Sequence, residues 1–149
     1  MATKRSVFRL KNLLLTAGSL LVLYFTYRML LITFPYLSFE RDVDFLRTKL
    51  HIVHLDHYRL SFYLHIFTSS FVLLAGATQF SGFFMRKVKP LHRWMGRVYV
   101  FLILFVSGPS GMVMGYYANG GLPAQLSCFF LTPLWLFFTF LAWRYARKR

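Results

Sequence analysis

This chain of 149 residues has eighteen Lys+Arg, five His and only four Asp+Glu. Its chemistry therefore runs through imidazole and guanidinium groups rather than through paired carboxylates. His65, in Tyr63-Leu-His65-Ile-Phe-Thr-Ser-Ser70, suits proton handling or cofactor ligation, or else a hydrogen bond to a neighbouring helix. His92 opens the cluster His92-Arg93-Trp-Met-Gly96-Arg97, where Arg93 and Arg97 fall four apart on one helical face. That cluster suits a phosphate, a cofactor propionate or a quinone headgroup, or contact with anionic lipid. Gln79 and Ser81 belong to the same layer. Arg28 interrupts an apolar run, as an anion's partner or as a side chain snorkelling to headgroups. Asn119 sits in the tight turn Tyr116-Tyr-Ala-Asn119-Gly-Gly121. His51, His54 and His57 look metal-like, but at i, i+3 and i+6 they drift around a helix and do not converge. The reading is of no dedicated metal site, with His65 and His92 as weak candidate ligands, and of no catalytic set.

Four apolar stretches position these residues: roughly 13–36, 60–84, 94–116 and 122–143. Each suffices for an α-helix to cross the hydrocarbon core, which takes about 20 residues. No period-two pattern suits a membrane barrel strand, so the expected fold is all-α, an integral membrane bundle of four transmembrane helices in one domain. The apolar run after Lys4, Arg5, Arg9 and Lys11 lacks a small-residue cleavage site and reads as an uncleaved anchor. Between the first two spans, Val43, Leu46, Leu50 and Val53 recur at helical spacing, so the 40–59 loop is expected as an amphipathic helix on the outer surface. Ser107-Gly-Pro-Ser-Gly111 is expected to kink or break the third span, and Thr132-Pro133 to kink the fourth. Counted from Asn12, Arg28 lies about 24 Å along its helix. On that count Arg28, His65, the third-span break and the Asn119 turn share one depth around a polar, outward-facing pocket.

The net charge of +14 and the 57% hydrophobic content conflict in a soluble protein. A nucleic-acid binder needs a basic face rather than eighteen Phe in apolar runs, and the hydrophobic content excludes a disordered basic tail. The single Cys128 allows neither an internal disulfide nor a cysteine zinc site. Charge distribution by segment reconciles the two numbers. The N-terminal tail, the connection after span two together with Arg97, and the C-terminal tail hold thirteen basic residues and no acid, whereas the 40–59 loop is balanced. The positive-inside rule then places both termini and the middle basic loop in the cytoplasm of a cell with a plasma (inner) membrane, the basic face meeting anionic lipid. His65 and His92 fall at opposite ends of antiparallel spans and cannot share one haem within a chain.

The ordered set from Tyr63 to Ser70, Leu74-Ala-Gly-Ala-Thr-Gln79-Phe80, His92 to Tyr99, Pro109 to Gly121 and Leu134-Trp135 resembles the family catalogued as domain of unknown function 2306. These are predicted multi-pass membrane proteins, mostly bacterial, with no assigned activity, and the resemblance covers residues 58–144. It points to His65, Gln79, His92, Arg93, Gly96 and Asn119 as motif positions. The resemblance implies a pattern that usually continues past the fourth span with a further His- and Arg-containing segment and at least one more helix. The resemblance thus implies a shortened version here, in which a site pairing His92 with a downstream histidine is incomplete. The expected function is that of a non-enzymatic, multi-pass membrane protein with a polar outward pocket and a basic cytoplasmic face. Two alternatives stand beside it: a redox protein binding haem b or quinone through His65 or His92 as a homo-oligomer, and a small-solute carrier or sensor.

Overall fold

The computed structural model describes residues 2–80 and 82–148. Ser81, Arg149 and the side chains of Lys4, Arg5, Arg9, Lys11 and Arg86 lie outside the described residues. The α-helices are α1 (Ala2–Thr33), α2 (Asp56–Phe80), α3 (Gly82–Lys87), α4 (Lys89–Leu102), α5 (Gly108–Tyr116) and α6 (Gly121–Arg147). No strand occurs among the described residues. Four segments are long and apolar enough to cross a membrane: Asn12–Ser38, Asp56–Gln79, Lys89–Tyr116 and Gly121–Arg147. The second and third begin ahead of their apolar runs for local reasons. Asp56 suits the positive end of a helix dipole and pairs with Arg59 at 2.9 Å, and Pro90 needs no N–H partner in the first turn of α4.

The helices pack in an open row. α1 lies on α2, α2 on α4 and α5, and α6 on α5, and α1 shares no extended seam with α6. Only 6% of each edge span is buried, against 33% and 28% for the two inner spans. The seam of α1 is the stripe Ser19, Val22, Thr26, Met29 and Thr33, its least exposed residues, at alternating three- and four-residue steps. Thr33 Oγ1 and Ser70 Oγ meet at 3.1 Å, which sets the register of α1 on α2.

The third span does not break at its proline. A π-helical stretch, Ile103–Ser107, joins α4 to α5, and the Gly108 N–H donates to the Ile103 carbonyl five residues back. Pro109 has no N–H for the carbonyl four residues before it, so the wider turn absorbs the fault while the helix continues. α6 likewise runs unbroken through Pro133. The Asn119 turn is as the sequence predicts, with Gly120 (φ 101°) and Gly121 (φ 67°) in the left-handed region.

The 40–59 connection differs from its expected form. It has no α-helix before Asp56; a 3-10 helix, Asp44–Lys49, is followed by turns. Leu46 and Val53 are buried, together with Tyr36, Tyr58, Phe62 and Ile66, while Leu50 is exposed. The connection therefore folds over the helix ends as a cap, with Leu46 and Val53 buried in one cluster with the aromatic residues Tyr36, Tyr58 and Phe62.

Gly115 faces α6 so closely that a Cβ there would lie 2.6 Å from Cys128 Cβ, an atom fixed to its own backbone. Gly115→Ala is expected to cost about 1–3 kcal/mol by overpacking. Gly18, with nothing within 4 Å, is the control, and Gly18→Ala should leave stability unchanged or slightly raised. Thermal unfolding of the two variants in detergent checks the difference.

Candidate functional site

Polar side chains gather at three depths along the row. The middle layer centres on His65, whose Nδ1–H donates to the Ser107 carbonyl at 2.8 Å. A carbonyl only accepts, so Nδ1 carries the proton, and in the neutral ring Nε2 offers a lone pair. Ser69 and Ser107 hydroxyls meet at 3.3 Å, and the Ser110 hydroxyl donates to the Val106 carbonyl at 2.6 Å and to the Ser107 carbonyl at 3.1 Å. The imidazole lies against Gly111, where a Cβ would come within 2.9 Å of Cε1. His65 Nε2 has no hydrogen-bond partner among the described residues.

The second layer joins α2 to α4. Gln79 Nε2 donates to the His92 carbonyl and to Thr78 Oγ1, both at 3.0 Å, and His92 Nδ1 lies 3.4 Å from the Thr78 carbonyl. Gly96 makes room for the Gln79 carboxamide, whose Oε1 would lie 2.9 Å from a Cβ there. Gln79 and His92, placed together by the sequence, are thus in contact. Arg93 and Arg97 are exposed beside them, with no hydrogen bond or ion pair among the described residues. Ser81, expected in this layer, lies outside the described residues. His65 and Gln79 are about 21 Å apart along α2, so His65 and His92 do not face one ligand.

Arg28 and His65 do not share a depth. From the Thr33–Ser70 contact, Arg28 lies five residues toward the chain termini on α1 and His65 five residues the other way on the antiparallel α2. That separates them by about 15 Å. Counting from Asn12 overestimates the height of Arg28, because α1 extends beyond α2 at the end of the row that carries both termini. Arg28 is exposed, without a partner among the described residues, and nearest in depth to Arg97 and Arg144 rather than to Asn119.

The third layer is the cap. Lys49, 2% exposed, donates from Nζ to the Tyr117 carbonyl and to Asn119 Oδ1 at 2.6 Å. Asn119 Nδ2 donates in turn to Thr48 Oγ1 at 3.2 Å, and His57 Nε2 lies 2.7 Å from the Tyr117 hydroxyl. Burial lowers the Lys49 pKa from 10.5, because a cation there gives up its water and meets no carboxylate. His51 and His54 are exposed, and no three His, Cys, Asp or Glu side chains among the described residues converge on a metal position.

Residues 62–149, more than half of the chain, match the family described as predicted membrane protein (DUF2306). The chain belongs to this family. No curated protein and no solved structure matches it. With four helices able to cross a bilayer, this DUF2306 member is a membrane protein. The matched region takes in His65, Gln79, His92, Arg93, Arg97 and Asn119, while Arg28 and Lys49 precede it.

Sequence reasoning passed over the roles of Lys49 and Ser107. Lys49 had a readable signal, since it falls between Leu46 and Val53 on the apolar side of the loop pattern. Ser107 acts through its carbonyl, which side-chain chemistry does not reveal. The depressed Lys49 pKa makes a signed prediction. The unfolded chain holds the proton over the window just below 10.5 in which the folded chain has begun to release it. Stability of the native protein relative to Lys49→Met should therefore rise as pH increases toward 10.5, measured as the difference in Tm between pH 8 and pH 10.5.

Proposed function

We propose that this DUF2306 protein is a non-enzymatic integral protein of a bacterial plasma (inner) membrane, with both termini cytoplasmic, a basic cytoplasmic face on anionic lipid, and a polar pocket on the outward side, bordered by Asp56, His57, Arg59 and Tyr63 rather than by Arg28 and His65. Charge distribution carries the reading. All four acids lie between Glu40 and Asp56, and the ion pairs among the described residues, Arg47–Asp42 and Arg59–Asp56, are at that end. The opposite end exposes Arg28, Arg93, Arg97 and Arg144 without any acidic partner. Exposed guanidinium groups at a helix end suit lipid phosphates, each worth about 1 kcal/mol near an anionic surface. In a Cys128→Ser background, an impermeant maleimide should label Asp42→Cys in intact cells and Lys148→Cys only after permeabilisation; the reverse pattern refutes the orientation. Phosphatidylglycerol should raise Tm over phosphatidylcholine alone, and Arg93→Gln with Arg97→Gln should remove much of that gain.

A second reading, as a redox protein or small-solute carrier, is favoured by the free Nε2 of His65, whose ring is held by the Ser107 carbonyl as a ligating imidazole is held by its outer partner. A haem b held by His65 would need a further ligand from another copy of the chain, since His92 belongs to the Gln79 layer, about 21 Å along α2 from His65. Protein purified after expression with haem supplied should then show a Soret band that His65→Ala abolishes, and a flat spectrum refutes haem binding.

A further inference from the structure

The closed cap carries costs that water would relieve. Lys49 is 2% exposed and turns Nζ to neutral oxygens alone, the Tyr117 carbonyl and Asn119 Oδ1. A cation in that position has lost its hydration without gaining a carboxylate. Tyr58 is 1% exposed, and its hydroxyl is buried with no hydrogen-bond partner among the described residues. The ring is not free to swing toward one, because Phe62 stacks against it at 6.5 Å and Tyr117 meets it edge-on at 5.4 Å. A buried hydroxyl left unmatched favours any state in which water reaches it. The backbone adds strain. Phe39 (φ 55°) and Asp44 (φ 40°) are in the left-handed region, which is unfavourable for a side chain and more so for Phe than for Asp. They flank the entry of the chain into the cap, just after Phe34–Ser38 and at the start of Asp44–Lys49.

The ties that oppose these costs are few. Leu46 and Val53 bury their side chains in the aromatic cluster. Toward the helices, the Phe45 N–H donates to the Tyr36 hydroxyl at 3.0 Å, and the Tyr63 hydroxyl reaches the Glu40 carbonyl at 3.4 Å. Lys49 and Thr48 hold the turn at Tyr117 and Asn119. The turns of the segment are closed internally, with the Leu46 N–H on the Val43 carbonyl, the Ile52 and Val53 N–H groups on the Lys49 carbonyl, and the Leu55 N–H on the Ile52 carbonyl. The segment can therefore lift without losing its own turns. Lifting wets Lys49 and the Tyr58 hydroxyl and lets Phe39 and Asp44 relax, while α1, α2 and the turn between α5 and α6 keep their backbone bonds.

We propose that residues 40–55 form a lid, latched by Lys49 on the Tyr117–Asn119 turn, which opens while the helices stay folded and uncovers the aromatic cluster of Tyr36, Tyr58 and Phe62. The latch suits that task. Two neutral acceptors give the ammonium a direction without compensating its charge, so its release into water is easier than from a carboxylate. The lid needs neither an orientation in the membrane nor a cofactor, and so stands apart from both functional readings.

The test uses the full chain in detergent, in a Cys128→Ser background. Val53→Cys places a thiol beneath the lid, and Ser110→Cys places one in the middle layer of the bundle, both at buried positions. Maleimide labelling then reads lid opening at the first and unfolding of the bundle at the second. Asn119→Ala leaves Lys49 one acceptor fewer and should speed labelling of Val53→Cys about tenfold. Tyr58→Phe keeps the ring, removes the unmatched hydroxyl, and should slow that labelling by about the same factor. Neither should change the labelling of Ser110→Cys. If Val53→Cys itself loosens the cap, hydrogen exchange at the Leu46, Ile52, Val53 and Leu55 amides reads the same two effects in a cap with its native residues. No acceleration by Asn119→Ala overturns the proposal, and so does equal acceleration at both thiols, which assigns the exposure of Val53 to global unfolding. It is also overturned if Tyr58→Phe leaves opening unchanged or speeds it, which would show the hydroxyl to be matched in the closed cap.

Discussion

A backbone carbonyl in hydrocarbon without a donor costs several kcal/mol, and the third span accommodates a proline at that depth. The π-helical stretch before Pro109 is the local accommodation, and close by the His65 Nδ1–H donates to a different carbonyl, that of Ser107. Much of the middle of the molecule depends on this bond. It holds α2 against the third span, and the imidazole fits only because Gly111 has no side chain. It also fixes the tautomer, which leaves the ring's Nε2 as an acceptor with no hydrogen-bond partner among the described residues.

The open row redistributes stability along the chain. Each edge helix has one inner neighbour, so interior packing is concentrated beneath the cap, where Tyr36, Leu46, Tyr58 and Phe62 are nearly inaccessible. Lys49 ties the cap to the turn between α5 and α6 and bears the desolvation cost of a buried cation that meets no carboxylate. Its partners, a carbonyl and an amide oxygen, give direction without charge compensation. That is a geometrically exacting way to close one end of the row, and it places Asn119 in a structural role at the position where the sequence offers a ligand-binding candidate.

Much of the candidate site was legible one residue at a time and less so as an arrangement. Gln79 and His92 meet as their positions near one helical hairpin imply, because a short connection leaves little freedom in register. Arg28 and His65 were paired by counting along single helices, which assumes that all spans start at one level. The Thr33–Ser70 contact shows that α1 slides past that level. The amphipathic pattern of 43–53 identified the residues that become buried, but its period could not distinguish an α-helix on a surface from 3-10 turns folded over a core.

The sequence by itself determined the four apolar spans, the absence of strand patterning, the segregation of acids from most of the basic residues, and the separation of His65 from His92. These depend on composition and on periodicity within one segment, and a span's length against bilayer thickness needs no neighbour. Tertiary structure alone decided the depth of Arg28, the burial of Lys49, the service of His65 to a carbonyl, and the close approach of His65 to Gly111 and of Cys128 to Gly115. Each of those follows from the register between helices far apart in the chain. Register is set by which side chains and glycines fit together across a seam, a property that no single segment carries.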